Sequence, residues 1–142
     1  MVFDIKGKVL LVNPAIKNFF GFGEKEILGK SIVDLSDFPG FKYLFYLLGK
    51  DVREVYKKEL KIKDDLILEV TSLPVLIEEQ KTGTIVILLD ITQEKALERT
   101  KTEFVTIAAH QLRTSLSEIK WVFDTLLKRK VFEIKRRTKE NN

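Results

Sequence analysis

The chain has 142 residues, 44% of them hydrophobic and 32% charged, which suffices for one globular core and an appended helix but not for a second catalytic domain. It has no cysteine, which excludes disulfides and thiolate chemistry, and its apolar runs fall far short of the roughly 18 residues of a membrane span, so we expect a cytoplasmic protein. The net charge of +4 is uneven, because residues 1–92 hold 13 basic and 14 acidic residues, whereas residues 93–142 hold 12 and 7.

The first half of the chain predicts two strands followed by short helices. Lys6-Gly7 supplies the turn of an antiparallel hairpin between two β-type runs. Asn13-Pro14 suits the start of a helix, because asparagine caps a first turn and proline lacks an N–H that this turn does not need. Glycines follow each predicted helix. The predicted elements are strands 2–4 and 8–12 and helices 14–20, 24–28 and 41–48.

After Gly49 the apolar pattern changes from the helical period to the strand period. Runs rich in β-branched residues predict strands at 52–62, 66–77 and 84–92, interrupted by Asp64-Asp65 and by Lys81-Thr82-Gly83. Pro74 predicts a bulge or an edge stretch in the middle strand, because proline cannot donate to a ladder. This order of elements predicts an α+β fold, in which short helices cover one side of a five-stranded antiparallel sheet.

One long helix is predicted from Gln93 to about Lys130, a stretch of helix formers without proline or glycine. Apolar residues in it recur at alternating spacings of four and three, the heptad pattern of a helix that packs against another helix. The helix is therefore expected to form a coiled-coil homodimer. The residues of this heptad seam are Val105, Ala109, Leu112, Leu116, Ile119, Phe123 and Leu126.

The positive charge is concentrated near the end of the chain. Between Lys128 and Lys139 seven Lys or Arg accompany a single acidic residue, Glu133. Such a cluster can contact nucleic acid or an anionic surface. Because no aromatic ladder or nucleic-acid motif accompanies it, we interpret residues 131–142 as a basic tail that frays and expect no nucleic-acid partner. Strongly salt-dependent binding would favour the alternative, a nucleic-acid binder.

Residues 1–92 resemble PAS domains, which implies the PAS fold and a sensory role. The resemblance is carried by Val12-Asn13-Pro14-Ala15, Phe19-Phe20-Gly21-Phe22, Glu26, Gly29 and Asp90-Ile91-Thr92.

The resemblance leaves the PAS ligand unknown, and no cofactor is assignable. The only histidine, His110, lies outside this domain, so histidine-ligated haem is not expected, and without cysteine the light-sensing flavin adduct of one PAS subgroup is excluded. Aromatic residues can either line an apolar ligand site or form the core, and we favour the core. These residues are Phe19, Phe20, Phe41, Phe45 and Tyr56.

The stretch from Phe104 to Leu116, FVTIAAHQLRTSL, is similar to the H-box of two-component sensor histidine kinases. The similarity implies that His110 accepts the γ-phosphoryl group of ATP and passes it to an aspartate of a response regulator. The ATP-binding domain of such kinases has no counterpart here, so we interpret the sequence as a fragment or a truncated gene. It is expected to be inactive by itself and to need a separate histidine-kinase catalytic domain as a partner.

Three residues beside His110 bear on its activity. Gln111 stands where the family commonly has an acid, so the base assistance that contributes roughly 10²–10⁴-fold is expected to weaken. Thr114 matches the position that in the family helps place the water for dephosphorylation of the regulator. Ser115 replaces the usual proline and restores a backbone donor, so a straighter helix is expected. Trp121 either anchors a regulator or packs on a partner helix.

The predicted organisation is a PAS-like sensor domain at 1–92, a signalling linker and phosphoacceptor helix at 93–130, and the basic tail at 131–142. In the leading hypothesis the sensor domain acts through the linker 93–102 to present or hide His110. The rival hypothesis is a non-catalytic dimerisation or adaptor module with a vestigial H-box, which Gln111 and Ser115 favour.

Overall fold

Several helices and strands begin or end at glycine or at residues with a side-chain hydroxyl. The computed structural model describes residues 1–140, in which residues 1–96 form one unit and residues from 97 onward a second. The strands are β1 (Val2–Asp4), β2 (Val9–Leu11), β3 (Val55–Lys63), β4 (Leu66–Ile77) and β5 (Gln80–Asp90). The helices are α1 (Ile16–Phe20), α2 (Glu24–Ile27), α3 (Ile32–Leu35), α4 (Phe41–Leu48) and α5 (Thr92–Glu140).

The five strands form one antiparallel sheet in the order β2-β1-β5-β4-β3, which confirms the predicted α+β architecture. Strand β5 therefore lies in the middle, between β1 and β4. Gly83 of β5 pairs with Asp4 of β1, and a Cβ at this position would collide with the carbonyl oxygen of Phe3. Glycine is thus needed where the first and last strands of the domain meet.

The hairpin between β4 and β5 differs from the prediction. Ile77 pairs with Gln80, so the connection is the two residues Glu78 and Glu79, which both have positive φ, 49° and 65°. Positive φ at both positions is typical of a type I′ hairpin, which usually contains Asn or Gly. The predicted break at 81–83 is wrong, because those residues pair within β5.

Pro74 occupies an edge stretch, as its lack of an N–H requires. The pairing of β3 with β4 extends only as far as Val55 and Ser72, so Pro74 pairs with Thr84 of β5 alone. At Pro74, strand β4 therefore has a neighbouring strand on one side only, and its other side needs no N–H donor. The expectation of a bulge or an edge stretch is confirmed.

Helix α3 was not predicted, and its capping explains why it forms. The Ser31 hydroxyl accepts a hydrogen bond from the Asp34 amide at 3.2 Å, and the Asp34 carboxylate accepts one from the Ser31 amide at 3.0 Å. This reciprocal pair is a capping box, which satisfies two donors that a helix start leaves unpaired. The helix buries Ile32 and Leu35 against the core.

The core lies between the short helices and one face of the sheet. Phe20 of α1 and Phe41 of α4 stack with ring centroids 4.1 Å apart, and Phe41 is fully buried. Ser72 is a buried polar residue, but its hydroxyl donates to the carbonyl of Arg53 at 2.6 Å and accepts from the amide of Val55 at 2.9 Å. Because both functions of this hydroxyl are used, its burial is not costly.

Helix α5 begins at Thr92 and continues to Glu140, so the predicted end near Lys130 is ten residues too early. No proline or glycine interrupts the sequence after Lys130, and nothing else there stops a helix. Residues 131–140, which were assigned to a separate tail, continue the helix. Asn141 and Asn142, the last residues of that predicted tail, lie outside the described residues. Between residues 1 and 140 no helix combines the length and hydropathy that crossing a bilayer requires.

Candidate functional site

Helix α5 carries the predicted phosphoacceptor on its surface. His110, Thr114, Ser117 and Trp121 follow one another at spacings of four, three and four residues, which places them on one side of the helix. All four side chains are exposed. We call this surface the histidine stripe. Its exposure leaves the imidazole of His110 accessible to a large macromolecular partner.

Thr114 is joined to His110 through the helix backbone. The Thr114 hydroxyl donates to the carbonyl oxygen of His110 at 3.1 Å, and the Ser117 hydroxyl donates in the same way to the carbonyl of Arg113 at 2.9 Å. These bonds use the hydroxyl protons but leave oxygen lone pairs available as acceptors. Thr114 is therefore held one turn from the imidazole as a fixed acceptor.

Gln111 and Ser115, the two residues that depart from the H-box pattern, both lie within the continuous helix α5. Gln111 is exposed and lies about 100° further round the helix than His110. Its amide brings hydrogen-bonding groups but no charge to this position. The helix is continuous through Ser115, which has the backbone N–H that proline lacks. The straighter helix expected here stays a prediction.

The heptad seam is open to solvent in the single chain. Leu112 and Leu116 each have a relative exposure of 65%, and the other large seam residues are also more than half exposed. A continuous apolar strip of this length is unusual on the surface of a helix that functions alone.

A compact set of hydrogen bonds joins the sheet to the start of α5. The amide and the hydroxyl of Thr92 both donate to Asp90 Oδ1, at 2.9 and 2.5 Å. The Thr92 hydroxyl oxygen also accepts from the amide of Ile67, and the amide of Ile91 donates to the carbonyl of Ile67, both at 3.0 Å. Residues 90–92, which we call the strand–helix junction, thereby fix the first turn of α5 to strand β4.

An ion pair between residues that are distant in the sequence reinforces the junction. Lys95 Nζ lies 2.7 Å from Glu59 Oε1 of strand β3, and the amide of Lys95 donates to the carbonyl of Ile91 at 3.0 Å. The two charged residues are far apart in the sequence, so no local spacing signals their contact. The first turn of α5 is consequently bound to both β3 and β4.

Asp90 makes the junction sensitive to pH. Hydrogen bonds from the hydroxyl and the amide of Thr92 hold the pKa of Asp90 below its usual 3.8. A carboxyl whose pKa is lowered by folding contributes stability that is present above its usual pKa and is lost as the pH falls through the lowered value.

We expect Asp90→Ala to lower the free energy of unfolding by about 1 kcal/mol at about pH 7, because two hydrogen bonds to an exposed carboxylate are lost. The difference from the original chain should shrink as the pH falls below 3.8 and through the lowered pKa of Asp90, because the carboxylate is then protonated. Urea unfolding followed by circular dichroism at several pH values measures both effects. Asp65→Ala, which changes an exposed aspartate in the β3–β4 turn, is the matched control. A pH-independent effect of Asp90→Ala would contradict this account of the junction.

The aromatic residues considered as a ligand site are divided by the structure. Phe20 and Phe41 belong to the core, Phe19 and Phe45 pack against it, and Tyr56 is 69% exposed on strand β3. An open groove of about 460 Å³ is lined in part by Phe19, Phe20 and Ile62. Tyr56 does not belong to this groove, so the five residues do not form a single site. In residues 1–140 no three His, Asp or Glu side chains are grouped as a metal site.

Comparisons with known proteins identify the family of the N-terminal unit and find sensor kinases that are similar to most of the chain. The PAS domain family matches residues 1–93. The chain is 26% identical over 128 residues to the sensor protein kinase WalK of Staphylococcus aureus (strain Newman), covering 87% of this chain and 20% of that protein. It is 27% identical over 146 residues to the alginate biosynthesis sensor protein KinB of Pseudomonas aeruginosa, covering 91% of this chain and 22% of that protein. The chain therefore spans about a fifth of the length of these relatives.

Proposed function

The chain belongs to the PAS domain family, and from this premise we propose that it is the sensory and phosphoacceptor portion of a two-component sensor histidine kinase, acting in the cytoplasm. The observation that carries the proposal is the exposed position of His110 on the helix that continues from the PAS domain, within a stretch that resembles an H-box. The similarity of most of the chain to sensor kinases supports a role of this kind.

In the proposed reaction a ring nitrogen of His110 attacks the γ-phosphorus of ATP that is bound to a separate catalytic domain. A nitrogen–phosphorus bond forms, the bond from phosphorus to the bridging oxygen breaks, and ADP leaves with the electron pair. The imidazole then gives up its remaining ring proton. Gln111 can accept a hydrogen bond but cannot take this proton, so solvent or the catalytic domain must receive it.

Phosphotransfer to a response regulator follows from the same exposed geometry. A regulator aspartate attacks the phosphorus, the nitrogen–phosphorus bond breaks, and the imidazole regains a proton. Thr114 assists the opposite reaction, in which the phosphate of the regulator is hydrolysed. Its hydroxyl oxygen is a fixed hydrogen-bond acceptor one turn from His110. Trp121, exposed on the same stripe, offers an apolar contact for the docked regulator.

The exposed heptad seam supports a homodimer as the working state. Pairing two copies of α5 would bury the apolar strip, and the histidine stripe would remain outside it because the two surfaces lie on different sides of the helix. The strand–helix junction supports a signalling role for the PAS domain. Any ligand or partner that shifts β3 or β4 acts directly on the first turn of α5 through Ile67, Glu59 and Lys95.

A non-catalytic dimerisation or adaptor module is the second candidate. The uncharged Gln111 and the uninterrupted helix at Ser115 favour it, because both remove features that the H-box family uses for catalysis and switching. In that case His110 would be vestigial, and the exposed seam would be the functional surface.

Phosphotransfer in trans separates the two candidates. The full chain is mixed with labelled ATP and purified histidine-kinase catalytic domains, and acid-labile phosphate on the chain is measured. Label on the original chain is the expected result. The double variant Gln111→Glu, Ser115→Pro restores the residues that the family commonly has. Label on this variant together with none on the original chain would identify a vestigial H-box and overturn the proposal.

A further inference from the structure

The heptad seam ends abruptly at Leu126. Continued at the same spacings, the seam would occupy positions 130, 133 and 137, but these are Lys130, Glu133 and Arg137. Charged residues at three successive seam positions do not support apolar pairing of two helices. Helix α5 nevertheless continues to Glu140, so its last third must be stabilised in another way.

A second apolar strip begins where the seam stops. Leu127, Val131 and Ile134 follow at spacings of four and three, and each is more than half exposed. At about 100° per residue, the centre of this strip lies roughly 60° round the helix from the centre of the heptad seam. The last third of α5 therefore carries its own amphipathic face, which we call the C-terminal strip.

Basic side chains border the C-terminal strip on both sides. Lys130 and Arg137 lie along one edge, and Lys128 and Lys135 lie along the other. Glu133, the one acidic residue between Lys128 and Lys139, lies on the far side of the helix. The described side chains of this segment are exposed. An apolar strip between two basic edges is typical of a helix that lies flat in a lipid interface, with its lysines reaching the headgroups.

We propose that residues 127–139 bind an anionic phospholipid surface. The apolar strip would enter the headgroup region, and the basic edges would contact the lipid phosphates. A second copy of the chain fits this surface less well, because two parallel copies would bring the same cations together. Nucleic acid fits less well because phosphate contacts alone would leave the apolar strip in water.

Vesicle sedimentation with the full chain tests the proposal. We expect the chain to sediment with vesicles of phosphatidylcholine and phosphatidylglycerol in equal parts, but not with phosphatidylcholine alone. The double variant Leu127→Ser, Val131→Ser should reduce the partition coefficient by about tenfold or more, because two apolar side chains no longer enter the lipid. Phe132→Ser is the matched control, because Phe132 is equally apolar but lies outside the strip, beyond the edge formed by Lys128 and Lys135.

Three results would overturn the proposal. The first is no sedimentation with anionic vesicles. The second is vesicle binding that is the same in the double variant Leu127→Ser, Val131→Ser as in the original chain, together with equally strong binding to duplex DNA. This pattern indicates a general attraction between charges. The third is an equal loss in Phe132→Ser. Circular dichroism of each variant shows whether the helix is retained. A further variant, in which Lys128, Lys130 and Lys135 are changed to glutamine, leaves the strip intact and should also lose binding.

Discussion

Replacing His110 by alanine is expected to abolish phosphate labelling in trans completely. Alanine has no nucleophilic nitrogen, and His110 is the only histidine of the chain, so no second imidazole can take over. The substitution should leave the fold intact, because His110 is exposed on a long helix and alanine is the best helix former. Acid-labile phosphate measured after reaction with ATP and a catalytic domain gives the result directly.

Thr114→Ala is the matched control for this experiment. It removes a hydroxyl from the same stripe, one turn away, but leaves the imidazole in place. We expect this variant to retain the label and, if a regulator is present, to slow the loss of phosphate from that regulator. Label that persists in His110→Ala at the level of the original chain would place the acceptor on another residue and contradict the assigned role.

Placing aspartate at Leu112 and Leu116 together is expected to convert the proposed dimer into monomers. Each leucine contributes about 2 kcal/mol when it is fully buried, and a dimer contains two copies of each. Loss of the two copies of one leucine alone weakens the dimer by about 4 kcal/mol, which raises the dissociation constant about a thousandfold. Burial of the new carboxylates weakens the dimer further. Sedimentation equilibrium of the full chain measures the dissociation constant.

Ile107→Asp is the control for the seam. Ile107 is also apolar and 58% exposed, but it lies on the opposite side of the helix from the seam. This variant should remain dimeric. Equal dissociation of both variants would show that any added charge on α5 disrupts the dimer, and an unchanged dimer in the seam variant would place the interface elsewhere.

The parts of the fold that could be predicted are those with strong local chemistry. The bounds of β4 and α4 were predicted correctly, because turn residues and glycine mark their ends. The fold class followed from the order of the elements. The predicted hairpin turn at 81–83 was wrong because Glu78 and Glu79 adopt positive φ without the usual Asn or Gly. Helix α3 was missed, although Ser31 and Asp34 have the spacing of a capping box.

The candidate site was predicted unevenly for similar reasons. His110, Gln111 and Thr114 were selected by resemblance to a motif on one helix, and the helix places His110 and Thr114 one turn apart as that spacing requires. The junction contacts of Ile67 and Glu59 were not predictable, because they depend on how distant strands pair. Sequence period identifies the face of a helix, but it does not identify which strand lies beside its first turn.

The pairing of β1 with β5 sets the order in which the protein can fold during synthesis. Val2 pairs with Ile85, so the first strand acquires this neighbour only after almost the whole PAS domain has left the ribosome. The β1–β2 hairpin has three residues in each strand and is too small to be stable alone. The sheet therefore closes late, over a long loop that slows folding. Helix α5 follows next in the chain, so the domain can close while the seam is still being synthesised.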